Sequence, residues 1–245
     1  MKVLDLTLPT PAENLAADEA LLDAAETDES DEILRFWESK DYFVVVGYAN
    51  RVAAEVNVPA CETRGVRILR RCSGGGTVVQ GPGCLNYALI LRITEAGPTR
   101  SIHTANQFIM ERNRSALAGL TSDSRLQTPD FLVCGHTDLA LNGLKFSGNS
   151  QRRRRNFLLF HGTFLWNFDL ALVSELLPLP SLQPDYRRAR SHEEFVTNLN
   201  TTPAAIKSAL STAWQATEQF GYLHNGAITS LAQTKYEKRQ WNFRF

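Results

Sequence analysis

Two periods alternate along the chain. A helical one opens at Thr10-Pro11-Ala12-Glu13, places Leu15 and Leu22 on one face and runs to about Ala25. A hydroxyl followed three residues later by glutamate, with proline in the first helical position, is a capping box that satisfies the free N–H groups of a helix start. After the acidic break TDESDE the apolar positions fall into short, nearly continuous runs, ILRFW, FVVVGYA and GVRILRR, which predict strands. TVVQ and LNYALILRI follow and read as an antiparallel pair turned by Gly81-Pro82-Gly83. From Ser101 the helical period returns, with Ala105, Phe108, Ile109, Ala116 and Leu117 on one side. The stretch Asp138 to Phe146 alternates around Asn142-Gly143, the dipeptide that best tolerates the two positive φ angles of a tight hairpin turn. NFLLFHGTFLWNF predicts a further strand. A last helix is expected from Thr202-Pro203, with Ile206, Leu210, Ala213 and Phe220 inward and Gly221 as its stop. The tail LAQTKYEKRQWNFRF closes the chain.

Strands outnumber helices and come in hairpins, so the expected class is α+β, a mixed or antiparallel sheet flanked by helices. No repeat or low-complexity linker divides the 245 residues, and 43% hydrophobic content suffices for one core, so a single domain over 1–245 is expected. A net charge of zero gives no overall field for nucleic acid or an anionic membrane. No segment approaches the roughly 20 apolar residues of a membrane span and no leader pattern opens the chain, so the expected compartment is the cytoplasm. The cysteines, Cys61, Cys72, Cys84 and Cys134, fit neither a disulfide scaffold nor paired zinc knuckles, and the pattern assigns no metal ligands.

The densest chemistry lies in Arg70-Arg71-Cys72-Ser73-Gly74-Gly75-Gly76-Thr77. Successive glycines after a strand can turn their N–H groups inward as an anion nest, and arginine forks suit phosphate oxygens. The spacing is neither that of a P-loop nor that of a dinucleotide fold; a tight sheet corner is the plain alternative. In LKFSGNSQ, Lys145 is either a solvated strand lysine or a compact cation that meets both a phosphate and an acyl oxygen. The run Arg152 to Arg155 reads as a solvated loop between hairpin and strand, or as a docking point for an acidic partner domain.

Taken together, RRCSGGGTV, LNYALIL, DLALNGLKFSGNSQ and LLFHGTFLWNFDL, with PAENLAADEALL, ILRFW, VVVGYAN, RSHEEFVTNL and KYEKRQWNF around them, resemble the lipoate-protein ligase family, whose catalytic domain is related to biotin-protein ligases. The resemblance implies a mixed sheet in which glycine loop and lysine face one another across a tunnel for a medium-chain acyl group. It implies that lipoate and ATP, with magnesium (Mg2+), form lipoyl-adenylate and pyrophosphate. The acyl group then moves to a lysine of an apo lipoyl-domain protein, a dehydrogenase-complex E2 or a glycine-cleavage H-type protein. Position by position it assigns Arg71, Gly74, Gly75, Gly76, Thr77, Val78, Val79 and Lys145 to the nucleotide, and Arg70, Lys145, Ser147, Gly148, His161, Gly162 and Thr163 to the acyl group. Lys145 is the expected catalytic residue, stabilising negative charge on oxygen in both half-reactions rather than acting as nucleophile. For His161 two roles stay open, lining the tunnel or helping to deprotonate the incoming lysine, beside a plain strand histidine; Ser73 is expected to cap the loop.

The chain also departs from the pattern. Ligases usually show His-Asp and Gly-Asn after the loop strand, where this chain has Gln80-Gly81 and Gly83-Cys84. Gly-Pro-Gly is similar instead to the octanoyltransferases, relatives that use no ATP and pass the acyl chain through a cysteine thioester. One transferase group carries its cysteine fifteen residues before the lysine, here Asp130; another carries it near RSHEEFVTNL, which has none. Cys84, and Cys134 two residues from His136, are the remaining thiol candidates. A non-catalytic member that binds acyl-lysine is the third reading. Many ligases continue after the KY…WN segment with a small accessory domain; its absence here predicts a separate accessory subunit or activity limited to transfer from ready-made acyl-adenylate. The choice of lipoate or octanoate, the acceptor and the oligomeric state stay open.

Overall fold

The computed structural model describes residues 1–28, 31–121, 131–221 and 225–245. Strand β1 (Lys2–Asp5) leads to helix α1 (Pro11–Asp28), opened by the expected capping box: Glu13 N–H donates to Thr10 Oγ1 at 3.2 Å and Thr10 N–H returns to Glu13 Oε2 at 3.0 Å. Strands β2 (Ile33–Trp37), β3 (Phe43–Val46) and β4 (Arg67–Arg70) fall on the three apolar runs, with short helices α2 (Val52–Glu55) and α3 (Val58–Arg64) between the last two. After the glycines come β5 (Val78–Gln80), β6 (Cys84–Arg92) and helix α4 (Ile102–Ala118), capped by Ser101. Strands β7 (Phe131–Cys134), β8 (Asp138–Leu141), β9 (Leu144–Arg153) and β10 (Phe157–Leu165) follow, then α5 (Ala171–Leu176), α6 (Pro203–Ala213), β11 (Glu218–Gln219), α7 (Asn225–Leu231), a π turn (Ala232–Tyr236) and α8 (Arg239–Asn242).

Eight strands form one mixed sheet in the order β11-β1-β2-β6-β10-β9-β8-β7, and β4-β3-β5 form a second, smaller one. One face of the large sheet packs Leu89 and Phe160 against Ala105 and Ile109 of α4 and Ile206 and Leu210 of α6. On the other face α1 lays Leu21, Leu22 and Ala25 over Ala88, Ile90 and Leu159. The small sheet packs beside α1 through Phe43, Val45 and Leu69, and its other face meets α5 through Val44, Val46 and Val79. Among the described residues no helix is long and apolar enough to cross a membrane. At the tip between β8 and β9, Asn142 and Gly143 take φ of 52° and 77°, the two left-handed positions the hairpin requires.

Three expectations are corrected. TVVQ and LNYALILRI are not a hairpin: β5 pairs with β3 in the small sheet and β6 lies between β2 and β10 in the large one. Gly83, at φ 83°, turns the chain from one sheet to the other where a Cβ would sit 2.1 Å from the Asn167 oxygen. The helix from Pro203 ends at Ala213, because Gln215 adopts φ 51° and breaks the period. Phe220 is therefore extended, its N–H on the Val3 oxygen at 2.8 Å, and Gly221 stops no helix. Only half of Arg152 to Arg155 is a loop: Arg152 and Arg153 end β9, Arg154 and Arg155 lie in the connection to β10, and Arg154 reaches α1, where its Nη2 meets Asp23 Oδ1 at 2.7 Å.

Gly162 on β10 shows how tightly the large sheet is filled. A Cβ there would lie 1.7 Å from Asn149 Oδ1, which also accepts from the Tyr87 hydroxyl at 2.7 Å. Gly162→Ala must push Asn149 off this network, and overpacking of this kind costs about 2 kcal/mol. Thermal unfolding should show a Tm several degrees lower; an unchanged Tm would mean that Asn149 relaxes freely.

Candidate active site

A cavity of about 580 Å3 opens between the small sheet, α1 and the face of β9 and β10. That is within the usual range for small-molecule pockets. Glycine loop, Lys145 and His161 all line it.

Arg71 builds the loop. Its Nε and Nη2 donate to the Gly74 oxygen at 3.0 and 2.5 Å, and Nη2 to the Gly76 oxygen at 2.7 Å. Because a trans peptide is planar, drawing the Gly74 and Gly76 carbonyls toward the guanidinium turns the N–H groups of Gly75 and Thr77 away from it. The N–H groups of Gly74, Gly75 and Gly76 have no acceptor among the described residues, so the loop keeps donors for a ligand. Gly75 holds φ 83°, and Cβ atoms at Gly74 and Gly76 would meet nothing within 4 Å, which leaves the main chain open to close approach. Burial pulls the Arg71 guanidinium down to about 10, still charged at neutral pH. A glycine outside the loop is equally required: a Cβ on Gly47 would stand 2.0 Å from the Gly75 oxygen.

Arg70 is a correction. It does not line the cavity. Its guanidinium is fully buried and donates to the oxygens of Gly47, Tyr48, Asn50, Trp241 and Asn242, binding the tail to the segment after β3.

Lys145 is aimed by a register slip. Ala140 pairs with Lys145 but Leu139 with Ser147, so one extra residue of β9 is accommodated. A bulge of this kind re-aims side chains. The ammonium folds over Gly148, where a Cβ would lie 3.0 Å from Nζ, and pairs with Asp138 Oδ1 at 2.8 Å. Asp138 Oδ2 accepts from the Tyr186 hydroxyl at 2.8 Å. The main chain of Lys145 is held on both sides, donating to the Phe195 oxygen and accepting from Thr197 N–H. Ser147 and Thr163 line the cavity beside it, as do Thr77, Val78 and Val79 from the loop side. Gly162 serves Asn149 as described. Gln80, at the position of the missing His-Asp pair, keeps a buried Oε1 without a partner, as does Trp37 at Nε1, and both side chains line the cavity.

His161 is no isolated strand histidine. Its Nδ1 lies 3.1 Å from Asp18 Oδ2 and its Nε2 2.5 Å from Ser73 Oγ, which in turn lies 2.7 Å from Ser150 Oγ. Asp18 also receives Arg35 Nη1 at 2.5 Å. Burial alone would raise the Asp18 pKa, but Arg35 and His161 outweigh it and hold the carboxyl below its ordinary value. A depressed folded pKa gives stability that is present above the unfolded value and lost as pH falls through the folded one. Asp18→Asn should therefore cost about 2 kcal/mol at neutral pH, with the gap to wild type narrowing below pH ~4. Urea titrations at pH 7 and pH 3 measure this, and a pH-independent gap would contradict it.

Ser73 thus does more than cap the loop. Asp18, Arg35 and Asp138 escaped the reading of the chain, although Asn14 and Asp18, one turn apart on the buried face of α1, are polar where that face should be apolar. The thiol candidates do not converge on the cavity. Burial pushes Cys72 and Cys84 up to about 12, and neither lines it. Cys134 ends β7 opposite Asp138, while His136 sits in the intervening turn and alone of the two lines the cavity. Position 130 lies outside the described residues.

Residues 10–213 match the lipoyl protein ligase A/B catalytic domain. The chain belongs to that family, which comprises lipoate ligases and octanoyltransferases. It is 26% identical to the octanoyltransferase LipM of Geobacillus kaustophilus, over 96% of this chain and 94% of that one. It is also 26% identical to a probable lipoate-protein ligase A of Mycoplasma genitalium, over 99% and 72%. In fold it is similar, at a TM-score of 0.80 and 22% identity over 99% and 95% of the chains, to a chain from the structural analysis of an archaeal lipoylation system, a bi-partite lipoate protein ligase and its E2 lipoyl domain from Thermoplasma acidophilum.

Proposed function

We propose that this chain, as one catalytic domain acting in the cytoplasm, activates lipoate with ATP to lipoyl-adenylate and transfers the lipoyl group to a lysine of an apo lipoyl-domain protein. One observation carries the reading: a donor-rich glycine loop and the Lys145 ammonium border the same cavity, on which no thiol converges among the described residues. Gly75 stands against Ser150, its Cβ position 3.4 Å from that of Ser150, and the Lys145 ammonium lies over Gly148, two residues away on the same strand face. Two residues of strand span about 7 Å, the breadth of an acyl phosphate. The loop N–H groups hold the phosphate and Lys145 meets charge developing on the acyl oxygen, in adenylation and again in transfer. Arg71 keeps the loop in shape, and Ser147, Gly148, His161 and Thr163 border the acyl group.

Of the carboxylates that line the cavity, Asp18 is committed to Arg35 and His161, Asp138 to Lys145 and Tyr186, and Glu55 accepts from the Ser181 hydroxyl. No group of three metal-binding side chains occurs among the described residues. Mg2+ is therefore proposed to travel on the nucleotide, with phosphate and water oxygens as its ligands. By likeness to the bi-partite Thermoplasma protein, a separate accessory subunit is part of the proposal.

The second reading, octanoyl transfer without ATP, is favoured by the LipM relative and by Gly81-Pro82-Gly83. It needs an accessible thiolate, against which stands the burial of Cys72 and Cys84. Pyrophosphate release with lipoate, ATP and Mg2+, coupled to modification of an apo lipoyl domain, tests the first reading. Transfer from an octanoyl-carrier protein without ATP, lost in Cys134→Ser or Cys84→Ser, would replace it with the second.

A further inference from the structure

The four contacts around His161 form a chain whose donors and acceptors follow from one starting state, a neutral imidazole against ionised Asp18. An ionised carboxylate only accepts, so Nδ1 of His161 carries its proton toward Asp18. In neutral imidazole the other nitrogen is then a bare acceptor, so at 2.5 Å Ser73 must donate its hydroxyl proton to Nε2. With that proton spent, Ser73 Oγ can only accept from Ser150 at 2.7 Å. Ser150 has given away its single proton in turn, and it is the member of the hydroxyl pair that lines the cavity. What faces the cavity from Ser150 is an oxygen with free lone pairs and an open path to a base. Ser73 is 1% exposed and is the covered link.

This wiring has an addressee. Attack on an activated acyl group needs an amine that sheds a proton, and Lys145, a cation already paired with Asp138, cannot accept one. Ser150 stands against the glycine loop, two strand residues from the position covered by Lys145 Nζ.

We propose that Ser150, Ser73 and His161, held by Asp18 and Arg35, form a proton relay that deprotonates the incoming acceptor lysine. The inference rests on the transfer step of the function proposed above. The ammonium proton of the lysine passes to Ser150 Oγ as Ser150 gives its own to Ser73, and Ser73 its own to His161 Nε2. The freed amine then forms the C–N bond, the bond from acyl carbon to phosphate oxygen breaks with its electron pair leaving on AMP, and the second surplus proton of the nitrogen goes to the departing phosphate. The resulting imidazolium faces ionised Asp18, whose second oxygen stays on Arg35. Ser150 is the catalytic group; Ser73, His161 and Asp18 act through it.

Two nucleophiles separate this role from a structural cross-link. Hydroxylamine is largely unprotonated at neutral pH and attacks lipoyl-adenylate with little help from a base, whereas lysine arrives as an ammonium. In Ser150→Ala, which removes one oxygen from a half-buried strand residue, and in His161→Gln, kcat for transfer to the apo lipoyl domain should fall about 100-fold, the usual worth of a general base. In Ser150→Ala the KM for the domain should hold, and hydroxamate formation from lipoate and ATP should stay near the wild-type rate. An equal loss with both nucleophiles in Ser150→Ala of unchanged Tm, or full lysine transfer in either variant, overturns the relay. If wild type acts only on octanoyl thioesters, the same two nucleophiles are compared with that donor, so failure of the ligase reading and failure of the relay are told apart.

Discussion

Lys145→Ala should lower lipoyl transfer about 1,000-fold while leaving thermal unfolding nearly unchanged. A preorganised cation at the site of developing oxyanion charge is commonly worth two to three powers of ten in kcat. The loss falls on chemistry because the ammonium meets charge that is greater in the transition state than in the bound substrate. The fold is spared for a different reason. The main chain of residue 145 stays tied to Phe195 and Thr197, and the side chain is 25% exposed, so its pair with Asp138 contributes little to stability. Lys145→Arg should not rescue the rate, since a planar fork cannot occupy the space over Gly148 that a single ammonium fills. Single-turnover transfer from preformed lipoyl-adenylate is the measurement. Wild-type turnover in the alanine variant would remove the proposed mechanism.

Arg70→Ala should produce the opposite pattern, a loss of about 4 kcal/mol in stability. Five main-chain oxygens share one guanidinium, at 2.8 Å for Gly47, 3.2 Å for Tyr48, 2.8 Å for Asn50, 3.1 Å for Trp241 and 3.0 Å for Asn242. Hydrogen bonds from a charged donor carry about 1.5–3 kcal/mol each, and buried acceptors left empty add a desolvation penalty; water entering the gap recovers part of the sum. The Phe245 ring, 5.4 Å from the guanidinium carbon, loses its cation as well. Urea titration reads the cost, and limited proteolysis should cut the segment around residues 239–245 first. A variant within about 0.5 kcal/mol of wild type would mean that the clamp is ornamental.

How much of this was legible in the chain depends on the kind of signal. Wherever one element carries its own pattern, sequence and structure agree: the capping box at Thr10, the strands ILRFW and FVVV, the helix from Ser101 and the turn at Asn142-Gly143. Errors arise where two elements far apart in the chain decide between them. Gly83 turns the chain because Asn167 lies against it, and Phe220 is extended because Val3 offers a strand edge. In the site, glycine loop and Lys145 were legible because their residue types are chemically conspicuous. Arg70 was misread for the same reason: an arginine beside a glycine loop has the composition of a phosphate ligand, and only the positions of residues 47 to 50 and 241 to 242 show its donors to be spent. The partners of His161 come from a helix, a loop and a neighbouring strand, 143, 88 and, through Ser73, 77 residues apart, and no local period links them.

The Arg70 clamp also constrains the order in which the molecule can be completed. A ribosome releases Gly47 through Gly76 long before Trp241 and Asn242 exist, so for most of synthesis this guanidinium lacks two of its five oxygens. The segment from Gly47 to Asn50 therefore gains its tie to the tail only when residues up to 172 positions beyond Arg70 arrive.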